Sequence, residues 1–247
     1  MTYARLRSAY IAFFLLAFQP ADATDLRVAV ASNFARTAAQ LGALFTAETG
    51  HGVVWSTGST GKLYAQVVNG APYDLLLAAD TRRPELLEAN GKAAANSRFT
   101  YARGTLVAWS SDPQLLAQAD GLPPLTEIRR IAIANPQLAP YGLAAQQPLQ
   151  ALGLWAAAEP RLVRGESIGQ AYQFVASGNA QLGFIAGSQL QPDAGSYWRV
   201  PASLHEPVDQ QLVRLTDTAA ARAFAEFMRS PAAQNVILAA GYLIPGD

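Results

Sequence analysis

The sequence predicts an α/β protein of two lobes, with parallel-rich sheets covered by helices and a cleft between the lobes. Short apolar, β-branched runs alternate with segments of helical periodicity between residues 25 and 79. The same alternation restarts after residue 103. Small, polar or Gly-rich residues follow several of the predicted strands, at the strand ends where open α/β sheets bind ligands.

The first unit reads strand, helix, strand, helix, strand. "DLRVAVA" (25–31) predicts a buried strand, and "ARTAAQLGALFTAETG" predicts a helix that stops at Gly50. "HGVVWS" predicts the second strand, "GSTGKLYAQVVNG" a helix that stops at Gly70, and "YDLLLAA" the third strand. Strands that alternate with helices in this way indicate a parallel sheet covered by helices.

The second unit begins with "RGTLVAWS" (103–110), predicted as one strand, and "RRIAIAN" (129–135), predicted as another. Pro140 predicts the start of a helix, since proline is favoured at the first helical position. "RLVRG" and "AQLGFIAG" predict strands on either side of a helix in "ESIGQAYQFVASGN". After the polar-apolar stretch "VDQQLVRL", we expect a single helix over 219–241.

The N-terminus has the features of a secretory signal peptide. Arg5 and Arg7 precede the apolar run "AYIAFFLLAF", and Ala21-Asp22-Ala23 forms a small-x-small cleavage site. We therefore expect residues 1–23 to be removed on export to the periplasm. No later run is apolar for long enough to span a bilayer, so we expect no membrane span after cleavage. One lobe is expected to comprise residues 24–103 and 204–247, and the other residues 104–203.

Composition argues against several classes of function. The chain has 18 Lys and Arg, 18 Asp and Glu, and no basic stripe that would favour nucleic acid. It has no cysteine, which removes thiolate metal sites and nucleophiles and suits a bacterial periplasm. Its two histidines, His51 and His205, lie far apart without ligand spacing. We expect neither a metal held directly by side chains nor a cofactor.

The stretch "STGSTGK" (56–62) resembles a loop that holds an anion. A P-loop needs glycines five positions apart followed by Lys and Ser or Thr. Gly58 and Gly61 are only three apart, and Leu63 follows Lys62, so a nucleotide site is excluded on spacing. The loop still opens a helix, whose N–H groups and dipole favour an anion. The alternative is an ordinary turn capped by Ser59 or Thr60.

Four strand ends carry similar loops, and each opens a helix: "SN" at 32–33, "GSTG" at 58–61, "NPQLAPYG" at 135–142 and "GESIG" at 165–169. This convergence favours an anion site over a simple turn. The loops offer hydrogen-bond donors, which suit a fully deprotonated oxyanion. Their one carboxylate is Glu166, with Asp80 near the third strand, and we expect both to be cap or hinge residues.

A secreted serine hydrolase is the alternative from a different class. "GESIG" places Ser167 where a nucleophile elbow has its serine, after a strand and before a helix. A serine nucleophile needs a histidine base, and neither histidine lies near these loops in the sequence. We therefore rank this hypothesis below anion binding.

At these loops the sequence resembles the periplasmic molybdate-binding proteins of ABC importers. The resemblance covers essentially the whole mature chain. It is carried by "VAVASNFARTAAQL", "STGSTGKLYAQVVNGAPYDLLLAADTRRPELL", "SRFTYARGTLVAWS", "IAIANPQLAPYGLAAQQPLQALGL", "SIGQAYQFVASGNAQLGFIA" and the ending "AAGYLIP". It implies a type II periplasmic binding fold, in which two α/β lobes joined by two crossing strands close on one tetrahedral dianion.

The resemblance also implies which residues bind the oxyanion. The family's four loops fall on Ser32 and Asn33, Ser59 and Thr60, Tyr141, and the backbone N–H of Ile168. In one respect the sequence departs from the family. Many members carry a binding tyrosine after the strand that is "GFIAG" here, where the residue is Ala186, and Tyr141 is the candidate for that phenol.

The sequence therefore predicts the receptor of an importer for molybdate and tungstate, not an enzyme. The expected partners are the oxyanion and the membrane permease, and the expected state is a monomer. A receptor for sulfate or another oxyanion remains an alternative, as does a periplasmic oxyanion sensor without transport.

Overall fold

The structure of the protein is a computed structural model that describes residues 25–117 and 120–244. The signal peptide predicted for residues 1–23 lies outside these residues. The described chain forms two five-stranded sheets with helices packed on them, as the predicted α/β class requires. In this part of the chain, no helix combines the length and the apolar character that crossing a bilayer would require.

The strands are β1 (Leu26–Ala31), β2 (Val53–Gly58), β3 (Leu75–Ala78), β4 (Phe99–Gly104), β5 (Leu106–Ser110), β6 (Ile131–Ala134), β7 (Leu162–Gly165), β8 (Leu182–Ala186), β9 (Ser196–Arg199) and β10 (Val208–Arg214). The helices are α1 (Ala35–Thr49), α2 (Thr60–Val68), α3 (Arg82–Ala89), α4 (Pro140–Ala151), α5 (Trp155–Ala158), α6 (Ile168–Ala176), α7 (Ala219–Phe227) and α8 (Pro231–Ala239).

The first sheet has the strand order β2-β1-β3-β10-β4, and the second has the order β7-β6-β8-β5-β9. Within the first, β1 runs parallel to β2 and β3, whereas β10 is antiparallel to both of its neighbours. Within the second, β6 runs parallel to β7 and β8, and β5 is antiparallel to its neighbours. Each sheet is therefore parallel on the side that carries the predicted loops and antiparallel on the other.

Both faces of the first sheet are covered, because successive side chains of a strand point to opposite faces. Val28 and Leu77 belong to a buried cluster with Phe45 of α1 and Phe224 of α7. Ala29 and Leu76, one position along each strand, belong to a separate cluster with residues of α2 and α3. The second sheet has its own core, built with α4, α5 and α6.

Two predicted elements are wrong in detail. The single strand predicted for residues 103–110 is two strands, because β4 ends in the first sheet at Gly104 and β5 begins in the second at Leu106. The single helix predicted for residues 219–241 is interrupted between α7 and α8. There Ser230 caps the new helix by accepting a hydrogen bond from the N–H of Ala233, and Pro231 occupies its first turn.

The chain passes between the sheets at Thr105 and again in the connection from β9 to β10, residues 200–207. The predicted lobes, residues 24–103 with 204–247 and residues 104–203, have boundaries close to these two crossings. We retain those boundaries as a proposal for the units that move relative to each other.

Phe224 is the residue on which we expect the first core to depend most. Its ring centroid lies 5.0 Å from that of Phe45 and 6.0 Å from that of Trp55, and the side chain is fully buried. Phe224→Ala should lower the free energy of unfolding by about 3–5 kcal/mol, measured by urea denaturation. Leu238→Ala on α8, where the side chain is 44% exposed, is the control and should cost below about 1 kcal/mol. Equal losses in both variants would contradict this view of the core.

Candidate functional site

The loops after β1, β2, β6 and β7 meet at one cavity between the two sheets. Parallel registers bring the ends of neighbouring strands together, with Ala31 opposite Gly58 in the first sheet and Ala134 opposite Gly165 in the second. Each of these strands is followed by a helix, namely α1, α2, α4 and α6. Four helix N-termini from the two sheets therefore converge.

The cavity is small, about 10 Å³, and is lined by Ala31, Ser32, Asn33, Gly58, Ser59, Thr60, Ala79, Ala139, Pro140, Tyr141 and Ile168. All six residues predicted for the oxyanion are in this set. None of the described residues that line the cavity is charged. An anion held there would be bound by hydrogen bonds and helix dipoles without a salt bridge.

Three hydroxyl groups at the cavity already accept a hydrogen bond from the backbone. Ser32 Oγ accepts from the N–H of Gly169 at 3.1 Å, Ser59 Oγ from that of Lys62 at 3.4 Å, and Thr60 Oγ1 from that of Ala79 at 3.0 Å. A hydroxyl has one proton to donate, and in the described part of the chain none of these three donates to the protein. Their protons remain available to a ligand.

Backbone N–H groups add to this set of donors. The first N–H groups of a helix have no acceptor within the helix. Thr60 is the first helical residue of α2, and Ile168 is the first of α6. Both residues are almost fully buried and line the cavity. The fourth loop therefore places the backbone N–H of Ile168, at the start of α6, beside the cavity.

Asn33 lines the cavity, but its side-chain amide is occupied elsewhere. Nδ2 donates to Gln210 Oε1 at 2.9 Å and to the Tyr242 hydroxyl at 3.1 Å. Its backbone carbonyl accepts from the Tyr242 hydroxyl at 2.9 Å and from Ser188 Oγ at 3.2 Å. Both amide protons are thus used within the protein, so the Asn33 side chain has no N–H left to donate to the cavity.

Tyr141 is fully buried in the first turn of α4, and its hydroxyl reaches towards the crossing strand β4. A Cβ at Gly104 would overlap the Tyr141 hydroxyl, so glycine is required there for the phenol to fit. Ala186, where the resemblance implies a tyrosine in many members, ends β8 beside Leu106. Its side chain is buried in the core of the second sheet.

Gly61 of "STGSTGK", in the first turn of α2, allows the two sheets to approach each other closely. The N–H of Gly61 donates to the carbonyl of Leu138 at 2.8 Å. A Cβ on Gly61 would lie 2.8 Å from the same oxygen, too close for van der Waals contact. Lys62 of the same loop pairs with Glu166 across the cleft at 2.9 Å, and both side chains are about half exposed. This loop joins the two sheets and lines the cavity, and it is not a phosphate cradle of the P-loop type.

The other residues singled out from the sequence as possible functional residues contact other parts of the protein. Asp80 accepts a hydrogen bond from the N–H of Arg83 and forms an ion pair with its guanidinium. Ser167, the candidate nucleophile, caps α6 by accepting from the N–H of Gln170 at 3.3 Å. His51 stacks against Phe45, and Nδ1 of His205 contacts the carbonyl of Glu206. Ser167 is thus a helix cap, and each histidine has a neighbour other than Ser167.

A larger cavity of about 500 Å³ adjoins the first on the side of the crossing strands. It contains Asp80, Arg83 and Asp209 among its lining residues. Asp80 pairs with Arg83, and Asp209 pairs with Arg103 at 2.6 Å. These charges neutralise one another, so the cavity has no evident preference for an anion. In the described ranges no group of three or more His, Cys, Asp or Glu side chains is placed to hold a metal ion.

Sequence reasoning missed a buried polar cluster behind the cavity. Tyr101 and Gln210 are buried together, and the Tyr101 hydroxyl donates to Gln210 Oε1 at 3.2 Å. Burial raises the pKa of Tyr101 and of Tyr141 well above the usual value, with a smaller contribution from Tyr242. Burial also raises the pKa of Tyr242, to about 12. The feature of the sequence that could have indicated this cluster is the pair of adjacent glutamines in "VDQQLVRL", a stretch that otherwise has the pattern of a strand.

Comparison with known proteins places this architecture in a family. Residues 26–243 match the profile of the bacterial extracellular solute-binding proteins. The molybdate-binding protein ModA of Azotobacter vinelandii is 46% identical over 90% of this chain and 91% of its own length. That of Rhodobacter capsulatus is 44% identical over 91% of this chain and 90% of its own. The solved structure of the periplasmic molybdate-binding protein of Azotobacter vinelandii superposes with a TM-score of 0.84, covering 90% of this chain and 100% of that one.

The buried tyrosines should make the protein less stable in alkali. A tyrosine with a raised pKa keeps its proton in the folded state, whereas the unfolded chain loses it near pH 10. The unfolded state then binds fewer protons, so the free energy of unfolding falls as the pH rises from about 10 towards about 12. We expect a slope of about 1.4 kcal/mol per pH unit for each such tyrosine, measured by urea denaturation.

The contribution of Tyr242 can be isolated with Tyr242→Phe, which should reduce this slope. Tyr197→Phe removes a hydroxyl from a side chain that is 43% exposed and should leave the slope unchanged. Identical pH profiles for Tyr242→Phe and the unmodified protein would contradict the assignment.

Proposed function

This chain belongs to the family of bacterial extracellular solute-binding proteins, and we propose that it binds molybdate and tungstate and delivers them to the permease of an ABC importer. The observation that carries the proposal is the convergence of Ser32, Asn33, Ser59, Thr60, Tyr141 and Ile168 on one uncharged cavity. The names of relatives at 46% and 44% identity support molybdate as the ligand. We place the mature protein in the periplasm, as a monomer and without enzymatic activity.

In this proposal the cavity replaces the water shell of a tetrahedral dianion. Ser32, Ser59 and Thr60 donate their hydroxyl protons, because their oxygens already accept from the backbone. Ile168 donates its backbone N–H at the start of α6, and Tyr141 donates its phenolic proton from α4. Hydrogen bonds to a charged group are stronger than those between neutral groups, so uncharged donors suffice.

Capture follows from the position of the cavity between the two sheets. Donors from the first sheet (Ser32, Ser59 and Thr60) and from the second (Tyr141 and Ile168) are both needed to surround one anion. The lobes would open at the two crossings, near Thr105 and in residues 200–207, and close on the ligand. The closed form, with Gly61 bonded to Leu138 across the cleft, is the one proposed to dock on the permease.

Two alternatives make different predictions. A receptor for sulfate would use the same neutral donors. Sulfate and molybdate both carry no proton at neutral pH, so the choice between them depends on the size of the anion. A hydrolase would use Ser167, but its hydroxyl is the cap of α6 and its described contact is with the backbone of Gln170. We therefore favour a binding protein over an enzyme, and molybdate over sulfate on the basis of the relatives.

The ligand is tested by thermal unfolding of residues 24–247 with a panel of oxyanions. Molybdate and tungstate should both raise the melting temperature strongly, whereas sulfate and phosphate should not. A ligand at a thousandfold excess over its Kd adds about 4 kcal/mol to the stability of the folded state. If sulfate stabilises the protein as much as molybdate does, the molybdate assignment is wrong and only an oxyanion site remains.

Thr60 is proposed as a hydroxyl donor, and Thr60→Ala tests this role. The loss of one hydrogen bond to a charged group costs about 1.5–3 kcal/mol, so molybdate affinity should fall roughly tenfold to a hundredfold by calorimetry. Thr60→Ser keeps the hydroxyl and should retain most of the affinity.

Thr57→Ala is the matched control, because Thr57 lies three residues earlier on β2 with an exposed side chain. It should leave the dissociation constant unchanged. An unchanged dissociation constant in Thr60→Ala as well would mean that Thr60 serves only to bind the N–H of Ala79.

A further inference from the structure

A third cavity, of about 230 Å³, adjoins the cavity proposed for the anion. Ser32 and Asn33 line both cavities. The walls of the third cavity come from both predicted lobes, with Ala35 and Arg36 of α1 on one side and residues of α6 and of the turn after β8 on the other. We call this third cavity the vestibule. Of the described residues that line it, Arg36 is the one that carries a charge.

A contact between the lobes lies at the boundary of the vestibule and the anion cavity. The N–H of Gly169, which lines the vestibule, donates to Ser32 Oγ at 3.1 Å. A Cβ on Gly169 would lie 3.3 Å from that of Ser32, so the two backbones are close. Opening of the lobes at the two crossings would break this contact. The vestibule and the anion cavity would then form one cleft.

The charge of Arg36 is not offset by an ion pair. Arg36 is exposed, and within the part of the chain that the structure describes it forms no salt bridge. Other cations beside the cleft do have partners, since Lys62 pairs with Glu166 and Arg83 pairs with Asp80. The opposite charges of such a pair largely cancel at a distance, whereas an unpaired charge acts over about one Debye length.

The cavity of about 500 Å³ on the side of the crossing strands differs from the vestibule in its charge. Its charged lining residues are Asp80, Arg82, Arg83, Glu206 and Asp209. Asp209 also pairs with Arg103 at 2.6 Å. Carboxylates and guanidinium groups therefore offset one another on that side, and the vestibule is the neighbouring cavity with an excess of positive charge.

The charge of Arg36 also acts on the wall of the anion cavity. Burial raises the pKa of Tyr242 to about 12, and the positive charge of Arg36 is among the influences that lower it. The Tyr242 hydroxyl donates to the carbonyl of Asn33 at 2.9 Å, and Asn33 lines both cavities. An anion that approaches Asn33 would therefore be attracted by Arg36.

From this arrangement we propose that Arg36 attracts the dianion into the open cleft and sets the rate of association, without contacting the ligand in the closed form. This role rests on the proposed function of the anion cavity. Arg36 does not line that cavity, whose described lining residues are uncharged. A cation at the entrance of such a site raises the local concentration of anions and speeds their encounter with it. A charge at the rim acts mainly on the association rate and its salt dependence.

Arg36→Gln tests this role in stopped-flow measurements of molybdate binding. Trp109 is a suitable fluorescent reporter, because its ring stacks on that of Tyr172 in the vestibule, with 5.0 Å between the ring centroids. At an ionic strength of about 0.01 M, where the Debye length is about 30 Å, the association rate constant should fall about threefold to tenfold. The dissociation rate constant should stay within about twofold, and the Kd from calorimetry should rise by the same factor as association falls.

Salt and the sign of the charge provide readouts that a structural role of Arg36 would not change. At an ionic strength of about 1 M the Debye length is about 3 Å, so Arg36→Gln and the unmodified protein should associate at the same rate. At low ionic strength Arg36→Lys should retain most of the rate, and Arg36→Glu should associate more slowly than Arg36→Gln. A loss in Arg36→Lys as large as that in Arg36→Gln would indicate a specific contact of the guanidinium and overturn the proposal.

Arg129→Gln is the matched control. Arg129 is exposed and precedes β6, the strand whose opposite end, at Ala134, leads to the anion cavity. The substitution changes the net charge of the protein by the same amount, but it should leave the association rate unchanged. If Arg129→Gln slows association as much as Arg36→Gln does, the net charge of the protein is responsible and the role of Arg36 is wrong.

The unmodified protein is titrated with molybdate in the same buffers. Its failure to bind would refute the proposed function and, with it, the role of Arg36. Normal molybdate binding, together with an unchanged association rate in Arg36→Gln at low ionic strength, would refute only the role of Arg36. A loss of affinity caused by faster dissociation would also overturn that role, because it would show that Arg36 stabilises the bound ligand.

Discussion

The convergence of four helix N-termini on one uncharged cavity is the constraint on which the rest of the structure depends. Each of the two sheets supplies a pair of parallel strands whose carboxyl ends face the other sheet. The close approach requires glycine where backbone meets backbone, as at Gly61 against Leu138. It also requires that side-chain oxygens at the cavity accept from the protein, as Ser32 and Thr60 do, so that their protons face inward. A cavity of this kind binds by the direction of its donors and not by net charge.

A cluster of buried polar side chains lies behind the cavity. Asn33, Tyr101, Tyr141, Gln210 and Tyr242 are buried side chains, and burial of polar groups is unfavourable unless they are hydrogen-bonded. Most of their donors are paired with one another, but Asn33 Oδ1 is buried without a hydrogen-bond partner among the described residues. A buried acceptor left unpaired costs about 1–3 kcal/mol. The two donated bonds of Nδ2 hold the Asn33 amide in one orientation.

The residues of the candidate site were easier to identify from the sequence than the two crossings between the sheets. Strand ends that open helices are local features, so Ser32, Asn33, Ser59, Thr60 and Tyr141 could be singled out from short segments, whereas Ile168 was identified through the family resemblance. The passage between the sheets at Thr105 has no such signal, because only one residue separates β4 from β5. The break before Pro231 did have one, a serine followed by proline, which is a helix start. Gln210 could not be identified, since its partner Asn33 is 177 positions away in the chain.

The contacts across the cleft are suited to reversible closure. The ion pair of Lys62 with Glu166 is about half exposed, and exposed pairs contribute about 0–1 kcal/mol. The hydrogen bonds from Gly61 to Leu138 and from Gly169 to Ser32 each contribute on the order of 1 kcal/mol. Further hydrogen bonds join the two predicted lobes, from Arg83 to the carbonyl of Gln137 at 3.2 Å and from Ser188 to the carbonyl of Asn33 at 3.2 Å. In the proposed function, closure depends on a ligand that pairs with the hydroxyl and N–H donors of both sheets at once. Since either sheet alone offers only part of that set, loss of the donors of one lobe would weaken binding and closure together.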